Sequence, residues 1–227
     1  NSVGIYTYTF TETDNHTAGV SYREDPIRLV VTVIEQNGKV RVAAVHTEEE
    51  GGTKSAEFTN TYSAGSLSVK KNVTGIMGDR TKDFTVKVTF YAPEGDTVRG
   101  DITYVDGTET KTIAAGNGWT GSKEAEITLR HDETVTFTNI PYGVTYTVVE
   151  NDYTAEADGG YDAASYNFDD NNKKIDTASE SVTITNNKDG EIDTGITMDS
   201  MPYILLLAVA CMGLFVFFSK KRMMREN

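Results

Sequence analysis

The stretch 67-LSVKKNVTG-75 alternates apolar and polar residues in the way that a β-strand with one buried face does. All its apolar side chains fall on one face of such a strand, and Lys71 falls on that face too. A charged amine in an apolar core is costly unless a partner neutralises it. The stretch therefore predicts either a core with an unusual lysine in it, or a strand in which Lys70 points inward and Lys71 is an ordinary surface lysine.

The same alternation recurs up to about residue 190. The runs are 6–12, 29–35, 40–45, 84–90, 125–129, 135–139, 144–150 and 182–186. Asn37-Gly38 and Asp106-Gly107 each lie between two runs and predict β-hairpin turns. Many short strands without intervening helical patterns predict an all-β fold built from β-sandwiches.

A weak internal repeat divides this part of the chain in two. In each half a glycine leads into an aromatic-rich run that ends in Glu, and a later run ends in Thr-Asn: 4-GIYTYTFTE-12 with 58-FTN-60, and 143-GVTYTVVE-150 with 184-ITN-186. We interpret residues 65–190 as a complete sandwich and residues 1–64 as the C-terminal part of a first one. The opening strands of that first sandwich, and an export signal, are expected upstream of Asn1.

Two further polar residues share the alternation that singles out Lys71. Glu150 falls on the apolar face of its run, and Asn186 falls on the apolar face of the last run. If the three side chains meet, burial disfavours charge on the amine and makes it a nucleophile. The Asn186 amide is then the electrophile, and a protonated Glu150 polarises it and shuttles protons while ammonia leaves.

The product would be an isopeptide bond between Lys71 and Asn186, formed once per molecule and not in repeated turnover. Simpler alternatives remain, namely a Lys71–Glu150 ion pair, or Asn186 as a turn residue. Asn139, at the end of 137-FTN-139, has the same parity and is a rival for the role of the asparagine.

The C-terminal run 203-YILLLAVACMGLFVFF-218 carries no charge and is followed by the basic tail 219–227. Extended to residue 201, it is long enough for a helix across a bilayer. The basic tail is typical of the cytoplasmic side, which places everything upstream outside the cell. A buried core helix is the alternative, but the sequence has no other strong helical pattern for it to pack against.

Composition argues against several other functions. The net charge of −13, without a basic stripe, argues against nucleic-acid binding, and the single cysteine, Cys211, cannot form an intrachain disulfide. His16, His46 and His131 are dispersed without metal-ligand spacing, so we predict neither a metal site nor a cofactor. The sequence carries no nucleophile motif that would predict an enzyme.

Four stretches, in this order, resemble the backbone (major) pilins of Gram-positive bacteria, in particular the streptococcal T-antigen type: 67–90, 139–153, 182–195 and the C-terminal tail. Domains of that family are immunoglobulin-like sandwiches related to collagen-adhesin B domains. The resemblance implies tandem Ig-like sandwiches, the first truncated at its N-terminus, followed by a transmembrane helix. It also implies that Lys71, the second of the paired lysines, bonds to the asparagine of the last strand, which favours Asn186 over Asn139.

The first copy carries Glu12 and Asn60 at the places that correspond to Glu150 and Asn186. The corresponding lysine is absent, because Lys39, the first lysine of the chain, lies beyond the hairpin turn and does not match. A lysine upstream of the given sequence is expected to pair with Asn60.

The segment 191–195, followed by the apolar run and the basic tail, resembles a sortase sorting signal. Its residues are Glu191, Ile192, Asp193, Thr194 and Gly195, with Asp193 where the family has proline. The resemblance implies that a sortase cleaves between Thr194 and Gly195 and passes the new carboxyl group to a lysine of another subunit. Lys54, six residues before Asn60, is the best match for that lysine, and Lys39 is the alternative.

The resemblance implies a structural backbone subunit of a covalently polymerised pilus at the cell surface. The implied partners are a sortase, other copies of the chain, minor pilins, peptidoglycan, and the membrane before processing. A monomeric adhesin or stalk anchored to the cell wall is the alternative, because it would use the same domains and the same sorting signal.

Overall fold

The computed structural model describes residues 2–167, 173–190 and 201–223. The chain divides into two compact units, residues 1–188 and residues 189–227, and each is described by itself. Among its described residues the first unit is all-β apart from one short 3₁₀ turn at Glu156–Asp158, and the second contains an α-helix. The predicted all-β fold with a C-terminal helix is confirmed.

A three-stranded antiparallel sheet begins the first unit, in the order β1-β3-β4, beside a short ladder between β2 and β5. The strands are β1 (Gly4–Phe10), β2 (Val20–Ser21), β3 (Ile27–Gln36), β4 (Lys39–Glu48) and β5 (Thr61–Tyr62). Asn37 and Gly38 both have left-handed backbone conformations, with φ of 56° and 72°, as the turn of a two-residue hairpin requires. The first predicted hairpin is therefore confirmed.

One face of this sheet is apolar and exposed. Register pairs Tyr6 with Val31 and Val31 with Val45, so these side chains share a face. On that face Tyr8, Phe10, Val42 and Val45 are each between 49% and 59% exposed. Among residues 2–167 this face carries no second sheet, so the sheet forms a single layer here.

The rest of the first unit forms two facing sheets, ordered β10-β7-β12 and β13-β14-β6-β11-β8-β9. The strands are β6 (Ala64–Thr74), β7 (Phe84–Tyr91), β8 (Ile102–Asp106), β9 (Glu109–Ile113), β10 (Ser122–Leu129), β11 (Thr134–Pro141), β12 (Thr145–Glu150), β13 (Ser165–Tyr166) and β14 (Ser179–Asn187). Apolar side chains from both sheets form the main core, which includes Trp119, and Val73, Phe84 and Tyr161 form a second, smaller cluster. The hairpin predicted at Asp106-Gly107 joins β8 to β9.

The first and last strands of this sandwich, β6 and β14, lie side by side and parallel. Val69 pairs with Val182, Lys71 with Ile184, and Val73 with Asn186. Every other ladder between strands of this unit is antiparallel among the described residues. The parallel pair brings together residues that are more than 100 positions apart in sequence.

Backbone contacts join the first 21 residues to the sandwich. Thr97 donates its N–H to the His16 carbonyl at 2.7 Å, and Ala18 donates its N–H to the Thr97 carbonyl at 3.0 Å. Ala18 is buried in the main core of the sandwich. The two sheet systems of residues 1–188 are therefore packed together as well as connected by the chain.

The helix of the second unit, α1, spans Met201–Met223. At 1.5 Å per residue this is about 35 Å, and its window Tyr203–Lys220 is apolar enough to cross a membrane. The helix runs five residues beyond the predicted end at 218, because lysine and arginine are good helix formers. The predicted sorting motif 191–195 and the end of the basic tail, 224–227, lie outside the described residues.

Candidate functional site

Lys71 lies inside the sandwich. In β6 the buried residues alternate from Gly65 to Val73, and this alternation buries Lys71 completely while Lys70 stays exposed. Lys70 instead forms a surface ion pair with Asp132, with 3.1 Å between Nζ and Oδ1. The alternative in which Lys71 is a surface lysine is therefore wrong.

Glu150 and Asn186 meet Lys71 in the core. Lys71 Nζ lies 2.7 Å from Glu150 Oε1, and both side chains are completely buried. Lys71 Nζ also donates a hydrogen bond to Asn186 Oδ1. The period-two pattern of three separate strands thus predicted three side chains that the fold brings into contact.

The parallel register explains how the lysine reaches the asparagine. Asn186 lies opposite Val73, two residues beyond Lys71 along the same face. Two residues of a strand span about 6.6 Å, a distance that the four-carbon stem of a lysine can cover. Glu150 comes from the facing sheet as the last residue of β12, which pairs with β7.

Three aromatic rings surround this end of the core. Lys71 Nζ lies 4.1 Å from the centroid of the Phe84 ring. Tyr153 and Tyr161 pack edge-on against Phe84, with centroid distances of 4.9 and 5.3 Å. Phe84 is completely buried, so the amine has a ring where water would otherwise solvate it.

Burial lowers the pKa of Lys71, and the close contact and the charge of Glu150 oppose this shift without cancelling it. Neither Glu150 carboxylate oxygen accepts a hydrogen bond of good geometry, although one lies at ion-pair distance from the amine. Two buried charges with so few hydrogen bonds gain less from mutual attraction than their burial costs. The arrangement therefore favours removing the charge over keeping an ion pair.

Neighbouring groups hold in place the strands that carry Lys71 and Glu150. Tyr166 Oη accepts a hydrogen bond from the Glu150 N–H at 3.0 Å, and His131 Nδ1 accepts one from the Val73 N–H at 3.0 Å. Together with Phe84, these residues were missed by sequence reasoning. The alternation places Phe84 in the core, but no local signal indicates that it lies against Lys71.

Asn139, the other candidate for the bonded asparagine, does not lie in the core beside Lys71. A bulge between Phe137 and Ile140 shifts the register of β11, and Asn139 has a left-handed φ of 61°. Its Nδ2 donates to the Asp101 carbonyl at 2.8 Å, and its Oδ1 accepts from Tyr62 Oη at 3.3 Å. The extra residue of the bulge turns the side chain out of the core, so Asn139 cannot replace Asn186.

The fold also brings Glu12 and Asn60 together. Asn60 Nδ2 donates to Glu12 Oε1 at 2.6 Å, while Glu12 Oε2 is buried without a hydrogen bond. The prediction that both residues end strands is wrong: β1 stops at Phe10, and 58–60 is irregular because it pairs with no strand. Lys39 lies at the far end of β3 and β4, about 30 Å along the sheet, and does not reach the pair.

Lys54 is exposed on a loop that follows β4. It forms an isolated antiparallel bridge with Glu48, and the Ser55 N–H donates to the Thr47 carbonyl at 3.2 Å. The side chain is therefore accessible on a segment that the end of β4 supports.

Comparisons with known proteins show the family of this chain. Residues 65–188 match a domain of unknown function, DUF7601, and residues 1–63 match the Spy0128-like isopeptide containing domain, FctA. A protein of Streptococcus pyogenes serotype M1 named Pilin is 32% identical over 234 residues, which cover 96% of this chain and 68% of the relative. The chain belongs to the pilin family.

Solved pilins share the fold of this pilin. The major pilin T3.2 of Streptococcus pyogenes serotype GAS13637 matches with a TM-score of 0.59 at 23% identity, over 82% of this chain and 68% of that one. A variant of the major pilin from Streptococcus pyogenes matches with a TM-score of 0.58 at 25% identity, over 83% and 72%. The predicted resemblance to streptococcal backbone pilins is confirmed, and with it a structural role in a cell-surface pilus.

Proposed function

We propose that this pilin is a backbone subunit whose second sandwich is closed by an isopeptide bond between Lys71 and Asn186, with Glu150 as the catalytic acid and base. The observation that carries the proposal is the buried contact of the three side chains near the C-terminal ends of the parallel strands β6 and β14. The bond forms once in each molecule, so the pilin processes itself and is not an enzyme.

The positions of the atoms support the following chemistry. The neutral Lys71 amine attacks Asn186 Cγ, while a protonated Glu150 donates a hydrogen bond to the amide and stabilises the developing oxyanion. Glu150 gives its own proton to Nδ2 and, as a carboxylate, takes one from Nζ, so it ends protonated as it began. The Nζ–Cγ bond forms, the Cγ–Nδ2 bond breaks, and ammonia leaves.

The closed site supplies what this reaction needs. A protonated amine does not attack, and burial lowers the pKa of Lys71, so the neutral form becomes accessible. Neutral Lys71 with protonated Glu150 carries as many protons as the ion pair, so one proton transfer across 2.7 Å reaches the reactive state. No proton has to enter from solvent.

The bond changes how the sandwich resists force. Tension along the pilus enters β6 at its N-terminal end and leaves β14 at its C-terminal end, and these ends are opposite because the strands are parallel. A Lys71–Asn186 bond passes the force directly between the two strands. The 114 residues between Lys71 and Asn186, which are 115 positions apart, are then removed from the path of the force.

In this proposal an isopeptide bond closes the first sandwich as well. Glu12 and Asn60 already contact each other, and the free Glu12 oxygen is available to an amine. A lysine from a segment upstream of the given sequence completes the set and bonds to Asn60. The exposed apolar face of the β1-β3-β4 sheet is the surface that such a segment would cover.

Polymerisation joins the subunits end to end. A sortase cleaves between Thr194 and Gly195 of the motif Glu191, Ile192, Asp193, Thr194, Gly195 and holds the threonine carboxyl as a thioester. The Lys54 amine of the next subunit resolves that thioester and forms the joint. Helix α1 holds the precursor in the membrane until cleavage, and minor pilins and peptidoglycan are the further partners.

Intact mass and a cell-wall immunoblot test the proposal together. Each isopeptide bond removes one ammonia, about 17 Da by stoichiometry, and tandem mass spectrometry locates the Lys71–Asn186 cross-link. Cell-wall extracts should contain a ladder of multimers that resists SDS. Free Lys71 and Asn186 side chains in mature protein would contradict the bond, and a single cell-wall band would support a monomeric adhesin instead.

A further inference from the structure

The loop that carries Lys54 is held by one side chain from outside it. The Arg23 guanidinium donates from Nη2 to Glu49 Oε1 at 2.8 Å, on the side of the loop before Lys54. It donates from Nη1 to the Glu57 carbonyl at 2.8 Å and to Ser55 Oγ at 3.3 Å, on the side after Lys54. One planar group therefore clamps both arms of the loop.

Arg23 is itself fixed. Its Nε donates to the Asp25 carbonyl at 3.0 Å, and the Phe58 ring lies 5.9 Å from its guanidinium carbon. Its side chain is only 16% exposed, although most of its partners lie at the surface. A guanidinium presents its donors in a rigid fork, so several acceptors fix its orientation at low entropic cost.

The far arm of the loop, residues 55–60 after Lys54, depends on the Arg23 guanidinium for its position. Residues 55–60 form no strand, and within residues 2–167 the far arm has one backbone hydrogen bond to β4, from Ser55 to Thr47. At Glu57 the structure places an Arg23 donor on the carbonyl, where a strand would have a ladder partner. Removal of the guanidinium leaves this arm, next to Lys54, without that anchor.

The same residue reaches the predicted bonding pair of the first sandwich. The Arg23 backbone N–H donates to Asn60 Oδ1 at 3.2 Å, while Asn60 Nδ2 contacts Glu12. An isopeptide bond to Asn60 would keep this carbonyl oxygen in place, because the reaction replaces only the amide nitrogen. The clamp on the Lys54 loop is therefore anchored to the site that closes the first sandwich.

We propose that Arg23 is a positioning residue for polymerisation: it holds the loop from Glu49 to Glu57 in the conformation that presents the Lys54 amine to the sortase thioester. The inference rests on the proposed function, in which Lys54 is the acceptor. An ordered loop lets the amine meet a thioester inside the sortase cleft without first losing conformational freedom. Arg23 touches neither the amine nor the thioester in this role.

The chain offers a matched control. Arg28 contacts the same loop through Glu50, with 3.4 Å between Nη2 and Oε1, but this single pair is more exposed on both sides. Exposed ion pairs of this kind contribute little to the stability of a protein. Arg28→Gln therefore removes a positive charge and an ion pair beside the loop without removing the clamp.

The experiment uses cells that express the full-length pilin with its sortase. Multimers in cell-wall extracts are quantified relative to monomer for Arg23→Gln, Arg23→Lys, Arg28→Gln and Lys54→Arg. Arg23→Gln is expected to reduce the ladder by about tenfold, Arg23→Lys by less, and Arg28→Gln by less than about twofold. Amide hydrogen exchange should accelerate in residues 49–58 of Arg23→Gln, while residues 64–74 exchange as in the wild type.

The outcomes separate the inference from the proposed function. A full ladder in Lys54→Arg means that another lysine is the acceptor, and the proposed joint is wrong. Loss of the ladder in Lys54→Arg together with a wild-type ladder in Arg23→Gln overturns the role of Arg23. If Arg23→Gln unfolds at the growth temperature, the test uses Arg23→Lys instead. A wild-type ladder in Arg23→Lys, together with faster amide exchange in its residues 49–58, also overturns the role of Arg23.

Discussion

Lys71 and Asn186 lie on the first and last strands of one sandwich, and the Lys71 amine donates a hydrogen bond to the Asn186 side-chain carbonyl. The strands are parallel neighbours, so the contact closes a loop of 115 positions. Glu150 approaches the same amine from the opposite sheet. The relationship places an amine, a carboxamide and a carboxyl group in one closed site, and it leads to four predictions.

Asn186→Ala is expected to show the full mass calculated from its sequence, without the loss of one ammonia, and to have a less stable second sandwich. Closure of a loop of 115 positions contributes about 4 to 5 kcal/mol to the free energy of unfolding if an isopeptide bond acts on the unfolded chain as a disulfide does. For a domain of this size that corresponds to a fall of about 10 to 20 °C in Tm. Intact mass and calorimetry measure the two effects.

Asn139→Ala is the matched control for that prediction. It removes two hydrogen bonds outside the core, to Tyr62 and Asp101, at a cost of about 0.5 to 1.5 kcal/mol each. Its mass should still be lower by one ammonia. Retention of that ammonia in Asn139→Ala would mean that the bonded asparagine has been assigned wrongly.

Glu150→Gln is expected to block the bond although it keeps the size of the side chain. An amide can donate a hydrogen bond, but it cannot take the proton from the amine and return it to ammonia. The variant should keep Lys71 and Asn186 as free side chains in tandem mass spectrometry. Glu180→Gln, which changes a carboxylate of β14 that accepts from Thr177 Oγ1 at 2.6 Å, should form the bond normally.

Stability should depend on pH in the unbonded Asn186→Ala variant. Burial lowers the folded-state pKa of Lys71 below its ordinary value of 10.5, so in the window between these two values the unfolded state binds more protons. The cost of burying the charged Lys71 amine is constant below the folded-state pKa and falls as the pH rises towards 10.5. The free energy of unfolding should therefore increase with pH in this window.

Urea unfolding at several pH values below 10.5 tests this pH dependence, with the wild type as reference. If the wild type carries the isopeptide bond, its Lys71 Nζ is an amide nitrogen that does not titrate, so the increase should be smaller. Equal slopes in the two proteins would show that Lys71 is not a buried amine in the unbonded fold.

Gly75→Ala is expected to disturb the end of the β6–β14 pair. Gly75 has a φ of +86°, and an added Cβ would lie 2.2 Å from the Lys188 carbonyl oxygen. Gly95 has a nearly equal φ of +84° with nothing within 4 Å, so Gly95→Ala carries the same backbone strain without the clash. Gly75→Ala should cost about 1 to 3 kcal/mol more than Gly95→Ala in urea unfolding. Equal costs would mean that the two strands separate beyond Asn186.

Local rules were sufficient to place the three polar residues of the site on buried faces. Side chains alternate along a strand, so Leu67 and Val69 predict the direction of Lys71 from its nearest neighbours alone. The same rule applied to Glu150 and Asn186, and left-handed turn residues predicted the hairpin at Asn37-Gly38. Where a strand is regular, the sequence was enough to predict which side chains face the core.

The rule failed where a strand is irregular or absent. The bulge in β11 adds one residue and turns Asn139 outward, although 137-FTN-139 has the same pattern as 184-ITN-186. The segment 58-FTN-60 repeats that pattern again and forms no strand. Alternation says nothing about whether a partner strand is present, and only pairing makes a strand.

The sequence by itself determined which side chains face the core, because that depends on contacts between residues one or two positions apart. Only the tertiary structure decided which of those side chains meet. The parallel pairing of β6 with β14, the Phe84 ring against Lys71 and the Arg23 clamp around Lys54 join distant segments. Such contacts arise from the packing of whole strands and loops, and no local pattern in the chain encodes them.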